Sequence, residues 1–222
     1  MVKTKRVWEK LQRKWLKEVG ISIIGLAIGA GLAILSSYTF YPYDTFAFSF
    51  SMFLGISLAR AWVLKDISEA KGIWPIVRRM CIDAIIGFVM GVYIYLTPLL
   101  THIATVAGSG DLYIIAQLYG WTAVIMALYL MIAWFWAGAE AMQKPFWKAV
   151  GDGYEYFLRR KKKTLGALAV YLSIYSPYFL LNIAAANNTA TPWISYINIA
   201  ILVGILIPVA EAYYWTEAES RA

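Results

Sequence analysis

Apolar residues along this chain gather into six long runs, and the intervals between them hold most of the charge. Each run is about 20 residues long. At a rise of about 1.5 Å per residue, a helix of that length crosses the roughly 30 Å hydrocarbon layer of a bilayer. The pattern predicts an all-α, polytopic membrane protein. Its spans fall at about 19–38, 45–64, 80–101, 112–137, 165–186 and 193–215, within one membrane domain covering residues 1–222.

Three intervals outside the spans repeat their apolar residues at helical spacing. In residues 1–18, Trp8, Leu11 and Trp15 share one face of a basic amphipathic segment. In the loop 65–79, Ile67, Ala70, Trp74 and Val77 do the same, with Pro75 weakening a continuous helix. In the loop 138–164, Phe146, Val150, Tyr154 and Phe157 lie four, four and three residues apart. The first and third read as short cytoplasmic helices lying in the membrane interface, the first alternatively as a plain basic topogenic tail anchored by its two tryptophans. The run Trp134-Phe135-Trp136 reads as an aromatic belt at the membrane surface.

Composition supports the bilayer as solvent. Hydrophobic residues make up 61% of the 222 residues and charged residues only 15%, against about 25% charged in soluble domains. There is one cysteine, Cys81, and one histidine, His102. An intrachain disulfide is therefore impossible, and a zinc site, which takes about four ligands, is not expected. The chain lacks the spacings of a metalloprotease helix or a phosphate-binding glycine loop. Ser109 has no histidine-plus-acid set to make it a nucleophile. A non-enzymatic protein without cofactor or metal is the expectation.

Charge sets the orientation. Residues 1–18 hold seven Lys/Arg, residues 60–79 five, residues 144–163 seven, and Arg221 completes the twenty in the chain. The intervals on the other side, around 39–44, 102–111 and 187–192, hold none. The positive-inside rule then places both termini in the cytoplasm, most simply across the cell membrane. The same cations predict attraction to anionic lipid headgroups. Nucleic acid is not an expected partner, because topology accounts for every cation.

Two local patterns concern helix packing. Gly25, Gly29 and Gly31 give span one a small-residue surface suited to close approach, within the fold or against a partner subunit. The tripeptides Ala59-Arg60-Ala61, Ala139-Glu140-Ala141 and Ala210-Glu211-Ala212 recur where even-numbered spans near the cytoplasm; chance in an alanine-rich chain accounts for this more readily than three two-helix units. Arg60 is placed to pair with Glu140 or Glu211 as a structural clasp.

Asp83, Glu140 and Glu211 all fall near cytoplasmic ends of spans, which argues against an ion-coupled pump. Uncharged polar residues collect instead in the outer half. Asn182, Asn198, Gln117, Tyr95 and Thr101 are the candidate ligand-binding residues, joined by His102, which otherwise reads as a surface imidazole. Buried amides in lipid need partners. They either bond to each other between helices or line an outward-facing pocket for a neutral or zwitterionic solute. The expected function is a solute-binding or transport component; the alternative is a structural or accessory subunit of a larger membrane complex. In size and topology alone, with no motif shared, the chain resembles the substrate-capture subunits of energy-coupling-factor importers.

Overall fold

The computed structural model describes residues 9, 11–12, 14–36, 38, 43–187 and 193–220; residues 43–46, 48–49, 92, 94, 179, 182–187 and 193–195 are described by their backbone alone. Among the described residues every regular element is a helix. In chain order they are α1 (Trp15–Ser36), α2 (Tyr43–Ile67), α3 (Trp74–Gly91), a first π-helical segment (Val92–Leu96), α4 (Thr97–Val106), α5 (Gly110–Ala133), the single turn α6 (Ala137–Glu140), α7 (Phe146–Arg159), α8 (Lys161–Asn187), α9 (Trp193–Ile201), a second π-helical segment (Leu202–Leu206) and α10 (Ile207–Glu219).

Three stretches are long and apolar enough to cross a membrane: Trp15–Ser36, Gly110–Ala133 and Tyr196–Glu219. The side-chain distribution on α5 is compatible with a helix in lipid. Its buried seam is Ala116, Gly120, Ala123 and Ala127, while Ile114, Leu118, Tyr119, Trp121 and Ile125 are exposed. A water-soluble helix buries its large apolar residues. In lipid, where small residues permit close packing and large ones face acyl chains, the order inverts. The protein is thus compatible with integral membrane insertion.

The α1–α2 hairpin shows why its glycines are there. A Cβ on Gly29 would lie 2.5 Å from the Cα of Gly55, and one on Gly25 would lie 2.7 Å from the Cα of Ala59. Backbone meets backbone, so no side chain fits. Ala33, the next position on that face, is fully buried. Gly31 does not belong to this interface: a Cβ there would meet nothing within 4 Å. It follows Gly29 by two residues, which at 3.6 residues per turn puts it on the far side of the helix. At the base of the hairpin, Lys14 Nζ donates to the Asp66 carbonyl at 3.1 Å, and Lys17 pairs with the Asp66 carboxylate.

Prolines shape the longer rods. Residues 74–106 and 193–219 are each continuous helices interrupted by a π segment that ends two residues before a proline, Pro98 and Pro208 respectively. A proline lacks the amide hydrogen and clashes with the carbonyl four residues back. That carbonyl is in the π segment in both cases, at Ile94 and Gly204, so the wider turn relieves the clash. Pro177 within α8 is handled differently. The Ser173 carbonyl that it leaves without a backbone donor accepts from Ser176 Oγ at 2.7 Å.

Three expectations are corrected by the fold, and the apolar spacing in 65–79 is divided between two helices: α2 ends at Ile67, Glu69 and Gly72 take positive φ, and α3 starts at Trp74. Pro75 lies in the first turn of α3, where a missing amide costs nothing. The Trp134–Trp136 run is not a surface belt, since Phe135 is 8% exposed and Trp136 is fully enclosed. The indole N–H of Trp136 donates to Thr164 Oγ1 at 3.0 Å, and its ring stacks on Tyr214. Leu11 joins the main core instead of facing an interface, with Trp15 packed against it; Trp8 lies outside the described residues. The sixth run does not stop at 215, because α10 continues to Glu219 with Thr216 and Glu217 buried.

The helix expected at 146–158 is present as α7. It meets the body through Ala149 and Gly153, where a Cβ on Gly153 would lie 2.5 Å from the Ala137 nitrogen. Trp147 and Leu158 are left exposed.

Candidate functional site: a buried charge network between four helices

Helical spacing assembles the network. On α3, Ile76, Arg79, Ile82 and Asp83 form one buried face. On α8, Tyr171 and Tyr175 are one turn apart and both buried; on α10, Glu211 and Tyr214 are buried within a turn of each other. Arg60 extends from α2 into the space between them. Alanines on either side of the charges, Ala59, Ala61, Ala210 and Ala212, are all 0% exposed and let the helices close around long side chains.

Arg60 is the hub. Its Nε donates to Glu211 Oε1 at 3.0 Å, its Nη2 donates to the Tyr171 hydroxyl at 2.8 Å, and its Nη1 lies 3.5 Å from Asp83 Oδ2. Tyr171 in turn donates to Glu211 Oε1. Asp83 accepts from Ser57 Oγ at 2.9 Å and pairs with Arg79 Nε at 3.4 Å. Arg79 Nη1 donates to the Tyr214 hydroxyl at 3.3 Å, with the guanidinium over that ring at 5.2 Å. Two arginines and two carboxylates leave the cluster electrically neutral. Burial of single charges is prohibitive, whereas paired charges with further hydrogen bonds are tolerated.

Tyr214 links the network to the buried loop before α7. Its hydroxyl accepts from the Ala139 amide at 2.9 Å and donates to the Phe135 carbonyl. Without it, the Phe135 carbonyl would lose its hydroxyl donor, and the Ala139 amide would keep only the Trp136 carbonyl at 3.0 Å. Gly138 belongs to the same contact: a Cβ there would lie 1.3 Å from Arg79 Nη1. The glycine is the space that Arg79 occupies.

The residues singled out from the sequence are dispersed. Gln117 Nε2 donates to Thr101 Oγ1 at 3.4 Å, and Thr101 Oγ1 donates to the Thr97 carbonyl at 2.8 Å, tying α5 to α4. Asn198, 1% exposed, donates from Nδ2 to the Tyr178 carbonyl at 3.2 Å, tying α9 to α8. No hydrogen bond joins Asn198 to Gln117 or Thr101 among the described residues. Tyr95 is half-buried in the first π segment, and His102 is exposed. The side chain of Asn182 lies outside the described residues. Of the two partners considered for Arg60, the structure selects Glu211; Glu140 pairs instead with Lys144 at 2.7 Å.

Arg79, Tyr171 and Tyr214 carry the network without having stood out in the sequence, and Asp83 stood out only as a carboxylate near the end of a span. The four-residue spacings Arg79–Asp83 and Tyr171–Tyr175 are signals in retrospect, since i,i+4 pairs share a helix face. No group of three or more metal-binding side chains forms among the described residues. No family model, curated protein or solved structure matches this chain.

Proposed function

We propose that the chain is a six-span integral membrane protein of the cell membrane, with both termini in the cytoplasm, that acts as a non-enzymatic solute-binding or transport component. The observation that carries this reading is the Arg60–Glu211–Asp83–Arg79 network. Apolar residues of similar volume would hold the helices together as well or better, and ionisable groups at such positions usually serve a pathway or a switch. The rods that supply Arg79, Asp83 and Glu211 are also the two with π segments and prolines, features frequent where helices serve function. The basic intervals at 1–18 and 144–163 are the surfaces that meet anionic lipid headgroups.

A second reading, an accessory subunit of a larger membrane complex, is favoured by one observation. The Gln117 and Asn198 amides are already engaged between helices, as packing groups would be.

Thermal unfolding of the purified protein against neutral and zwitterionic solutes separates the two. A solute that raises the midpoint in wild type but not in Arg60→Gln supports the transport reading. If none does, and native purification instead yields a stoichiometric membrane partner, the accessory reading replaces it. Topology is tested by cysteine labelling on a Cys81→Ser background. Lys148→Cys should react only after permeabilisation and Ser109→Cys in intact cells; the opposite pattern overturns the orientation.

A further inference from the structure

Three buried polar atoms along one helix seam lack hydrogen-bond partners among the described residues. They are Glu211 Oε2, the Tyr175 hydroxyl and Asn198 Oδ1. Glu211 is fully enclosed, Asn198 is 1% exposed and Tyr175 9%. All three lie where α8 packs along the rod formed by α9, the second π segment and α10. On α8, Tyr171, Tyr175 and Tyr178 are spaced four and three residues apart and so share a face, rising about 10 Å from the Glu211 contact to the carbonyl held by Asn198. The ring centroids of Tyr171 and Tyr175 are 5.4 Å apart.

Orphaned polar atoms are rare in folded interiors because each forgoes the bonds it made to water. Three of them on one seam, beside the buried core residues Leu202, Leu206 and Ile207, leave hydrogen-bonding capacity open for something very small. Hydroxyl and carboxyl groups bridged by water are the groups that pass protons.

We propose that Glu211 is a proton-binding site, reached from the outer half of the protein along the Asn198–Tyr175 seam. This deepens the transport reading, rests on its topology, and departs from the expectation that the cytoplasmic-end position of Glu211 argues against an ion-coupled pump. The proton comes from water on the outer side and adds to Oε2, the oxygen left open; Oε1 remains with Arg60 and Tyr171. The carboxylate becomes a neutral carboxylic acid, and the network passes from neutral to a charge of plus one. The groups facing Glu211 are Arg60 from α2, Asp83 and Arg79 from α3, and Tyr171 and Tyr175 from α8, with Tyr214 on its own helix. Arg60, already 3.5 Å from Asp83, is left with Asp83 as its one anionic partner. Protonation thereby loosens α10 from α2 while keeping α2 on α3, which is the kind of two-position element a proton-coupled carrier requires.

The test is infrared difference spectroscopy of the full-length protein in lipid, following the carboxylic C=O stretch while pH is lowered over the range where the fold persists. Wild type should gain a band that shifts on deuteration. The band should vanish in Glu211→Gln and persist in Asp83→Asn. If Glu211→Gln does not fold, Glu211→Asp must move the band. In Tyr175→Phe the band should appear at least tenfold more slowly after a pH jump. Absence of a titrating band in wild type, or a band indifferent to both Glu211 variants, overturns the site; an unchanged rate in Tyr175→Phe overturns the route. The readout needs no transported solute, so failure to find one defeats the transport reading while leaving the proton site standing or falling on its own spectrum.

Discussion

Replacing Gly29 by alanine tests the reasoning about the α1–α2 hairpin with a single methyl group. The new Cβ would stand 2.5 Å from the Cα of Gly55 and 3.2 Å from the Ser51 carbonyl oxygen. Carbon atoms in good contact are about 3.5–4.0 Å apart, so the helices must separate by about 1 Å. Both obstructing atoms are backbone and cannot rotate away. Separation also weakens the neighbouring approach of Gly25 to Ala59. Overpacking of this kind costs about 1–3 kcal/mol, offset by the gain of about 0.5–1 kcal/mol when alanine replaces glycine in a helix. A net loss of about 1–2 kcal/mol is expected. Gly31→Ala is the control, because its Cβ meets nothing within 4 Å; it should be neutral or gain up to about 1 kcal/mol from propensity alone. Reversible unfolding in mixed micelles, followed by circular dichroism, should separate the variants by about 2 kcal/mol, more than tenfold in the equilibrium constant. Equal stability of the two would refute the close-approach argument.

Three further outcomes follow from the same geometry. Tyr214→Phe leaves the Phe135 carbonyl without its hydroxyl donor and the Ala139 amide with the Trp136 carbonyl alone, at about 1–3 kcal/mol for the orphaned carbonyl, and a lowered unfolding midpoint checks it. Arg60→Met strands Glu211 and should cost about 3–5 kcal/mol, whereas Arg60→Met combined with Glu211→Met leaves the Arg79–Asp83 pair neutral and should recover much of that loss; a double variant no more stable than the single one would show that the charges are needed for the fold itself. Outside the three apolar stretches long enough to cross a membrane, the hydrogen bond from Lys144 holds the Asp152 carboxyl below its ordinary range. A depressed acid contributes stability above its unfolded value and loses it as pH falls through the folded one, so hydrogen exchange in the first turns of α7 should quicken below pH about 4, and Asp152→Asn should abolish that dependence.

Much of the helical layout was legible in the pattern of apolar runs, because an uninterrupted apolar run of about 20 residues favours one long helix. The α7 stripe was legible because its apolar residues recur at helical spacing. Helix ends were not, where tertiary contacts outweigh local pattern: Trp134–Trp136 looks like an interfacial belt until the α6 turn folds it under Tyr214 and Thr164. Gly31 looked equivalent to Gly25 and Gly29, but two residues of helix rotate it to the opposite face. The site was half legible. Arg60 and Glu211 were a pair to consider from their alanine-flanked positions. Arg79 and Asp83 were not, since an i,i+4 ion pair at a helix start reads as an ordinary solvated one. Their burial follows from Gly138, whose missing side chain admits Arg79 from a segment about sixty residues away.

The three Ala-x-Ala tripeptides show what the shared pattern encodes. In each, the two alanines are buried: Ala59, Ala61, Ala210, Ala212 and Ala141 at 0% exposure and Ala139 at 3%. The central charge is not treated alike. Glu211 is enclosed and bound by Arg60, while Glu140 is 21% exposed and bound by Lys144 one turn later. Neighbouring helix positions are about 100° apart, so two alanines flanking one residue clear a wide arc of helix surface for close packing. They do not fix where the residue between them points. On the long α10, packed by α8 and α2, the only room for Glu211 is inward, and a cation must meet it there. On the single-turn α6 the next residues bend away and leave Glu140 a path to solvent and to Lys144. Equivalent sequence therefore yields one buried charge partner and one surface pair, and the difference is set by the length of the helix and the neighbours along it.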